Sequence, residues 1–296
     1  GAPLRRDVVF AATADEEAGG IHGVKWLLDH RPALLQAAYA LNEGGGFSFP
    51  AGRGRLYLCE TGEKSFCTLR LRAEGTPGHA ATPHGDNAVV HLAQAVARLG
   101  EGRLPTHRTA TLDRAEQTLR AYLGEEPIPA AVAAFLDLMA RNTATPTLLA
   151  AGVKNNVIPS RAEATVDGRL LPGQTPALLL AELAPLLGER VAAEVLVAGC
   201  PFEMPLDTPL YRCLQASVAA LDPGACLIPF MSLGTTDSRY LAERGVTVYG
   251  FCPLREPEEP ESWRRMHGHD ERISLDALAF GVKMLYDAVV RFAGRT

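Results

Sequence analysis

Short apolar blocks separated by polar turns predict an α/β fold at the start of the chain. Residues 8–12 form an apolar run that predicts a buried strand, followed by a helix at 24–30 and a second strand at 38–41. A strand, a helix and a strand joined by short connections are typical of a βαβ unit and a parallel sheet. We therefore expect the chain to open with part of a doubly wound sheet.

The middle of the chain follows a different pattern. The predicted elements are a half-buried strand at 66–73, a helix at 87–99 capped by Asp86, strands at 147–153 and 161–171, a helix at 175–187 and a strand at 191–198. This β-α-β-β-α-β order suggests a ferredoxin-like domain. Residues 100–145 are polar, helical and interrupted by prolines, and are interpreted as an insertion within it.

The first pattern returns in the last third of the chain. Thr208 and Pro209 are typical of a helix start, strands are predicted at 226–231 and 246–252, and Ser274 is placed to cap a final helix. The apolar positions of that helix recur at spacings of three and four: Leu275, Leu278, Val282, Leu285, Val289 and Phe292. The sequence thus predicts a discontinuous α/β domain at 1–62 and 203–296, with a smaller α+β domain at 63–202 inserted in it.

Composition and charge exclude several classes of protein. The 296 residues carry a formal net charge of −5 and no run of Lys and Arg, which argues against nucleic-acid binding. No stretch is apolar for about 18 residues, so no membrane span is expected. The six cysteines contain no Cys-x-x-Cys pair, which argues against a disulfide scaffold or a thiolate zinc site. We expect a cytoplasmic protein.

Acidic residues and a histidine follow the predicted strands. Ligands of open α/β sheets bind beyond the carboxyl ends of the strands, and here these positions hold Glu16 and Glu17, Glu43, the loop 234–239 and His267. Carboxylate and imidazole ligands without a thiolate suit Zn²⁺, Co²⁺ or Mn²⁺. Neighbouring glutamates point in different directions at a strand exit, so one can bind a metal while the other accepts a proton from water.

Several motifs resemble those of the M20 family of metallo-amidohydrolases, which includes aminoacylase-1, acetylornithine deacetylase, succinyl-diaminopimelate desuccinylase and carboxypeptidase S. The motifs follow the family's order from residue 13 to residue 273: Thr-Ala-Asp-Glu-Glu-Ala-Gly-Gly, Leu-Asn-Glu-Gly-Gly, Gly-Thr-Pro-Gly-His-Ala-Ala, Lys-Asn-Asn-Val-Ile-Pro, Gly-Thr-Thr-Asp-Ser-Arg and His-Gly-His-Asp-Glu-Arg. The resemblance implies a zinc-peptidase-like catalytic domain with two zinc ions and a lid domain that forms a homodimer.

The resemblance also assigns roles to individual residues. Glu16 matches the general base, Glu17 and His267 match ligands of one metal, and Glu43 matches a ligand of the other. His79 matches a lid histidine that reaches the active site of the opposite subunit. The matching substrate-binding positions are Asn156, Arg169, Gly234, Thr236, Asp237 and Arg239. The expected reaction is hydrolysis of the amide bond of an N-acyl amino acid or small peptide.

One departure from the family pattern leaves an alternative open. The family has an upstream His-x-Asp motif and a later Asp that bridges the two metals, and neither is found before Glu16. We expect the catalytic domain to be incomplete at its N-terminus. The competing hypothesis is a non-catalytic dimeric binding or scaffold protein that has kept the fold. An upstream sequence carrying His-x-Asp would decide between the two.

Overall fold

The computed structural model describes residues 3–52, 54–255 and 267–294. The chain forms two compact units. The first unit takes its described residues from the segments Gly1–Glu63, Thr109–Met139 and Phe202–Thr296, and the second comprises Lys64–Arg108 and Ala140–Pro201. The secondary-structure elements are numbered in chain order.

The described strands are β1 Tyr39–Asn42, β2 Ser48–Ala51, β3 Gly54–Glu63, β4 Ser65–Glu74, β5 Gly78–His79, β6 Thr143–Ala151, β7 Val157–Ile158, β8 Arg161–Leu170, β9 Val191–Ala198, β10 Phe202–Glu203, β11 Cys226–Ser232 and β12 Thr247–Gly250. The described helices are α1 Val24–His30, α2 Ala88–Glu101, α3 Ala110–Leu123, α4 Ala130–Met139, α5 Pro176–Leu187, α6 Pro209–Leu221, α7 Ser238–Glu243 and α8 Leu275–Ala293. Thr208 and Ser274 cap α6 and α8 as predicted, because each side chain accepts a hydrogen bond from a first-turn backbone amide.

The sheet of the first unit is mixed rather than parallel. β1 runs parallel to β12, and β11 runs parallel to β3, but β3 is antiparallel to β12, β2 and β10. The predicted parallel sheet is therefore wrong in this respect. Its central strand, β3, was not predicted at all. Helices cover both faces, since Tyr57 and Cys59 pack beneath α6 and α8 while Phe230 of β11 packs on Phe135 of α4. The doubly wound arrangement is confirmed.

Two further predictions for the first unit are wrong. Residues 8–12 form no strand, and Phe10 is 92% exposed. An apolar run forms a stable strand only when a neighbouring strand pairs with it. On α8 the predicted apolar face is wrong in part: Leu275 and Val282 are exposed and Leu285 and Phe292 pack partly buried against the core, whereas Phe280 and Met284 are buried. The buried face of α8 is rotated by about one residue from the predicted face. Its small residues Ala277, Gly281 and Ala288 allow close packing.

The second unit has the predicted ferredoxin-like arrangement. Its sheet has the order β6-β8-β4-β9, all neighbours are antiparallel, and α2 and α5 contribute to its core. Asn87, not Asp86, caps α2, because its side chain accepts a hydrogen bond from the Val89 amide. Asp86 instead accepts hydrogen bonds from the amide and hydroxyl of Thr76.

The segment predicted as a helical insertion in the smaller domain groups with the larger one. α3 and α4 lie within Thr109–Met139, which belongs to the first unit. α3 packs on β11, and the Thr111 hydroxyl is 3.3 Å from the Thr61 hydroxyl of β3. The prediction assigned this segment to the smaller domain. An amphipathic pattern shows that a helix packs on a sheet, but it does not show on which of two sheets. No helix in the described part of the chain has the length and apolar character needed to cross a membrane.

Candidate active site

Glu16 and Glu17 lie on a tight turn at residues 15–20. They begin a short 3-10 helix, Glu16–Ala18, which Asp15 enters with a left-handed φ of 72° and Gly19 leaves with a φ of 103°. The Asp15 carboxylate accepts a hydrogen bond of 2.8 Å from the amide of His22. This turn presents the two carboxylates beside each other at the surface of the first unit.

The α7 segment supports this turn. The Arg239 guanidinium donates a 2.6 Å hydrogen bond to the carbonyl of Gly19, and the Tyr240 hydroxyl donates one of 2.7 Å to the same oxygen. The Thr13 hydroxyl donates to the buried carboxylate of Asp237 at 3.3 Å. Residues 234–239, predicted to bind substrate, are thus in contact with the segment that carries the proposed base.

Glu43 follows β1 and precedes three glycines in left-handed conformations. Their φ values are 82°, 49° and 78° for Gly44, Gly45 and Gly46. A Cβ at Gly45 would lie 2.5 Å from the amide nitrogen of Glu60 and from the carbonyl oxygen of Gly250. Glycine is therefore required for the chain after Glu43 to pack against β3 and β12.

His267 lies beside the turn that carries Glu16 and Glu17. Its Nε2 lies 3.9 Å from Oε1 of Glu17, and the two side chains are 76% and 79% exposed. A left-handed φ of 58° at His267 and a hydrogen bond from its amide to the Glu271 carboxylate hold this conformation. One imidazole and one carboxylate thus face each other across a gap.

Glu43 and Asp237 lie close enough to Glu16 for their charges to affect its pKa. Partial burial raises the pKa of Glu16, and the negative charges of Glu43, Asp237 and Glu17 raise it further. Partial burial also raises the pKa of Glu43, with contributions from Asp237 and Glu17, while His267 lowers it. A carboxyl group whose pKa is raised in this way accepts a proton more readily than an isolated glutamate.

The donor types here fit a metal ion, but the number of donors is small. A tetrahedral Zn²⁺ with ligand distances of about 2.0–2.2 Å would require Glu17 and His267 to approach slightly closer than they do. Within residues 3–52, 54–255 and 267–294, no group of three or more His, Cys, Asp or Glu side chains is placed to hold an ion. The described residues therefore supply part of a ligand set.

The second unit brings together two of its three predicted site residues. β5 pairs with β7, which places His79 opposite Val157, and the Ala80 amide donates to the carbonyl of Asn156. Nδ1 of His79 accepts a 3.1 Å hydrogen bond from the Ala81 amide, so the neutral ring carries its proton on Nε2. Arg169 lies elsewhere, on β8, where it donates to Asp167 at 3.0 Å.

Sequence reasoning missed two buried carboxyl groups at the end of β3. Glu60 is 2% exposed and Glu63 is 1% exposed. Residues three apart on a regular strand face opposite sides, but a bulge shifts the register so that Phe230 pairs with Glu60 and Met231 with Gly62. Glu60 and Glu63 therefore face the same side. The available signal was Glu-x-x-Glu directly after the apolar run at 56–59.

A model of the peptidase dimerisation domain of the M20 family matches residues 61–194. The chain is 29% identical to human N-fatty-acyl-amino acid synthase/hydrolase PM20D1, over 96% of this chain and 61% of that protein. It is 30% identical to the protein of the same name from Xenopus tropicalis, over 93% of this chain and 58% of that protein. A probable carboxypeptidase S-like protein 2 from Dictyostelium discoideum is 24% identical, over 92% and 56%. The chain thus spans about 60% of the length of these relatives.

Solved structures share the fold. An M20 family metallo-carboxypeptidase from Sulfolobus solfataricus has a TM-score of 0.63 at 16% identity, covering 94% of this chain and 68% of that one. Human carnosine dipeptidase 1 has a TM-score of 0.57 at 12% identity, covering 94% and 64%. The mixed α/β fold with a dimerisation domain is therefore shared with M20 peptidases.

Proposed function

We propose that this chain, which is homologous to the M20 hydrolases and contains their dimerisation domain, contributes to a metal-dependent active site that hydrolyses an amide bond. The observation that carries the proposal is the pair formed by Glu17 and His267 beside Glu16, whose pKa is raised. Two adjacent carboxylates and an imidazole about 250 residues away in the sequence thus meet on one surface with the chemistry that hydrolysis needs.

Glu17 and His267 would hold one ion, and Glu43 would contribute to a second. We propose Zn²⁺, with Co²⁺ or Mn²⁺ as alternatives that accept the same carboxylate and imidazole donors. Such an ion supplies Lewis acidity, which lowers the pKa of a bound water and polarises a carbonyl group.

Glu16 acts as the general base in this proposal. Its carboxylate accepts a proton from the attacking water and later delivers that proton to the nitrogen of the leaving amine. Burial and the neighbouring negative charges favour the protonated form that must exist between these two steps. Because Glu16 carries the proton in both steps, we assign it to proton transfer and not to the metal ligands.

His79 stabilises the negative charge that develops on the carbonyl oxygen. Because its Nδ1 accepts a hydrogen bond from Ala81, the ring presents Nε2–H as a donor. We propose that the protein is a homodimer formed through the second unit, and that each site uses His79 of the partner subunit. The dimerisation-domain match at residues 61–194 supports this arrangement.

The proposed substrate is an N-acyl amino acid or a small peptide. The PM20D1 relatives are named for N-fatty-acyl amino acids, and other relatives are carboxypeptidase S-like. Asn156, Gly234 and Asp237 are proposed to bind it, and Thr236 is proposed to act by holding the shape of the loop 234–239, since its amide and hydroxyl are already bonded. An arginine, Arg169 or Arg239, would bind the substrate carboxylate. Each already donates one hydrogen bond, Arg169 to Asp167 and Arg239 to the Gly19 carbonyl.

Two inactive variants test the base and the shared site together. Glu16→Gln should retain zinc binding and lose roughly 10²–10⁴-fold in kcat, and His79→Ala should also be nearly inactive. After subunit exchange, half of the dimers contain both variants and one intact site each, so about a quarter of wild-type activity should return. Differently tagged wild-type subunits, whose mixed dimers can be counted directly, provide the control for exchange.

A mixture that stays inactive after verified exchange would refute the shared site, and a Glu16→Gln protein with near-normal kcat would place the base elsewhere. The competing proposal is a non-catalytic dimeric binding protein. It is favoured by the small number of donors among the described residues. That function predicts ligand binding without hydrolysis in both the wild type and Glu16→Gln.

A further inference from the structure

The buried carboxyl group of Glu63 binds one residue of the loop 234–239 with both of its oxygens. Oε1 accepts a 2.6 Å hydrogen bond from the hydroxyl of Thr236, and Oε2 accepts a 3.1 Å hydrogen bond from its backbone amide. A carboxylate that receives two hydrogen bonds from one residue fixes both the backbone position and the side-chain rotamer of that residue. Glu63 ends β3, and its register partner Ser232 ends β11 just before the loop.

The hydroxyl of Thr236 is fully used. It donates to Glu63 and accepts hydrogen bonds from the side-chain amide of Asn42 at 3.2 Å and the backbone amide of Ser238 at 3.0 Å. A hydroxyl has one proton and two lone pairs, so no further bond is available. The hydroxyl therefore joins the ends of three elements: β3, β1 and α7.

A continuous set of contacts leads from this point to the proposed base. Thr236 positions the first turn of α7, where Arg239 binds the Gly19 carbonyl and Asp237 binds the Thr13 hydroxyl. Those two contacts support the turn 15–20, which carries Glu16. A shift of Thr236 would thus be passed to the Glu16 turn through rigid polar contacts.

We propose that Glu63 is the positioning residue of this site: by holding Thr236 it fixes the loop 234–239 and, through α7, the turn that carries Glu16. Its effect on catalysis rests on the proposed function, whereas its effect on the loop does not. Glu60 assists. Burial, with a contribution from the nearby Glu63, raises the pKa of Glu60 well above its usual range, which keeps a second negative charge away from Glu63.

The test compares Glu63→Gln with Asp222→Asn in the protein. A glutamine presents one oxygen and one N–H₂ group to two donors, and the saturated hydroxyl of Thr236 cannot accept the extra hydrogen bond. Asp222 accepts a 2.7 Å hydrogen bond from Tyr57, near the other end of β3, and its substitution by Asn provides a matched loss of a carboxylate acceptor.

We expect Glu63→Gln to raise the hydrogen-exchange rate of the amides at 236–240 and 18–20 at least tenfold and to lower kcat roughly 10–100-fold with a smaller change in KM. Asp222→Asn should lower Tm without either effect. Because Glu63→Gln could unfold the protein, Thr236→Val is a second variant: it removes the hydroxyl alone and should reproduce both effects, while Thr236→Ser should restore wild-type values.

The outcomes separate the two proposals. If Glu63→Gln and Thr236→Val change exchange and kcat no more than Asp222→Asn does, the positioning role is refuted. If the wild type hydrolyses no N-acyl amino acid or peptide, the proposed function fails, and the exchange rates still decide whether Glu63 holds the loop. Equal exchange in Thr236→Ser and Thr236→Val would also refute the role of the hydroxyl.

Discussion

The first unit contains two pairs of glutamates in opposite environments. Glu16 and Glu17 are adjacent on a surface turn, where Glu16 is half-buried and Glu17 is 79% exposed, whereas Glu60 and Glu63 are three residues apart on a buried strand and share a face because of a bulge. The surface pair has carboxylates available to an ion and to water. In the buried pair, Glu63 directs both of its oxygens to donors of Thr236. Identical side chains therefore serve chemistry in one place and positioning in the other, according to what surrounds them.

The glycines beside the two pairs differ in the room around them. Gly44 packs directly on the carboxyl group of Glu60, and Gly45 packs on the backbone of β3 and β12. Beside the surface pair, a Cβ at Gly20 would clash with Oδ1 of Asp237, but the nearest atom to a Cβ at Gly19 is Nη2 of Arg239 at 3.7 Å. A substitution at Gly45 should accordingly cost stability, and one at Gly19 should cost much less.

The largest effect is expected from Gly45→Ala. Its Cβ would lie 2.5 Å from two backbone atoms that cannot move independently, so β3 or β12 must shift. We expect a loss of about 3 kcal/mol or more in the free energy of unfolding, measured by urea denaturation. Gly19→Ala is the matched control and should cost only about 1 kcal/mol for its left-handed φ. Equal losses would show that the packing on β3 has little effect.

A smaller effect, dependent on pH, is expected from Glu60→Gln. Burial raises the pKa of Glu60 well above its usual value and that of Glu63 to about 7, so the folded protein binds protons more tightly than the unfolded chain. The stability contribution of each group is complete below pH about 4.5; that of Glu63 is lost as the pH rises through about 7, and that of Glu60 is lost between pH 4.5 and its own raised pKa. Glu60→Gln removes one of these titrating groups. It should therefore flatten the dependence of the free energy of unfolding on pH by up to roughly 1.4 kcal/mol per pH unit.

Glu60→Gln should therefore match the wild type in Tm near pH 5 and exceed it at pH 8. Thermal denaturation followed by circular dichroism across this range measures the difference. Glu125→Gln, which changes an exposed glutamate, should leave the pH profile unchanged. A Glu60→Gln protein that is less stable than the wild type at pH 8 would contradict the protonated state of Glu60.

The smallest effect on stability is expected from Glu17→Gln. The side chain is 79% exposed, so its substitution should change the free energy of unfolding by less than about 0.5 kcal/mol. Zinc affinity should nevertheless fall at least tenfold, since a charged ligand is lost. Calorimetric titration with Zn²⁺ measures this, with Glu125→Gln again as the control. Unchanged affinity in Glu17→Gln would remove it from the proposed ligand set.

The surface pair was placed after a predicted strand at 8–12 that does not form, so its identification rests on the motif Thr-Ala-Asp-Glu-Glu-Ala-Gly-Gly and on Gly19 and Gly20, which mark a turn. The ferredoxin-like order could be predicted because each of its elements has a clear local period. Such periods lie within short stretches of sequence, whose physical meaning is local.

The buried pair could not be predicted because its geometry depends on a distant strand. The bulge that turns Glu60 and Glu63 to one face exists only in the pairing of β3 with β11, more than 160 residues later. The grouping of α3 and α4 with the first unit likewise depends on contacts across the fold. The assigned roles of the site residues, and the expected cytoplasmic location, stay predictions.

The first unit is built from three separate segments of the chain, and this affects how it can fold during synthesis on the ribosome. β3 is complete at residue 63, but its parallel partner β11 begins only at residue 226, after the entire second unit has been made. At about 5–20 residues per second, β3 waits roughly 10–30 s for that partner. During this interval β3 residues Leu56, Tyr57 and Leu58 lack β11, their parallel partner strand. We expect the nascent chain to bind chaperones at this segment while the second unit folds first.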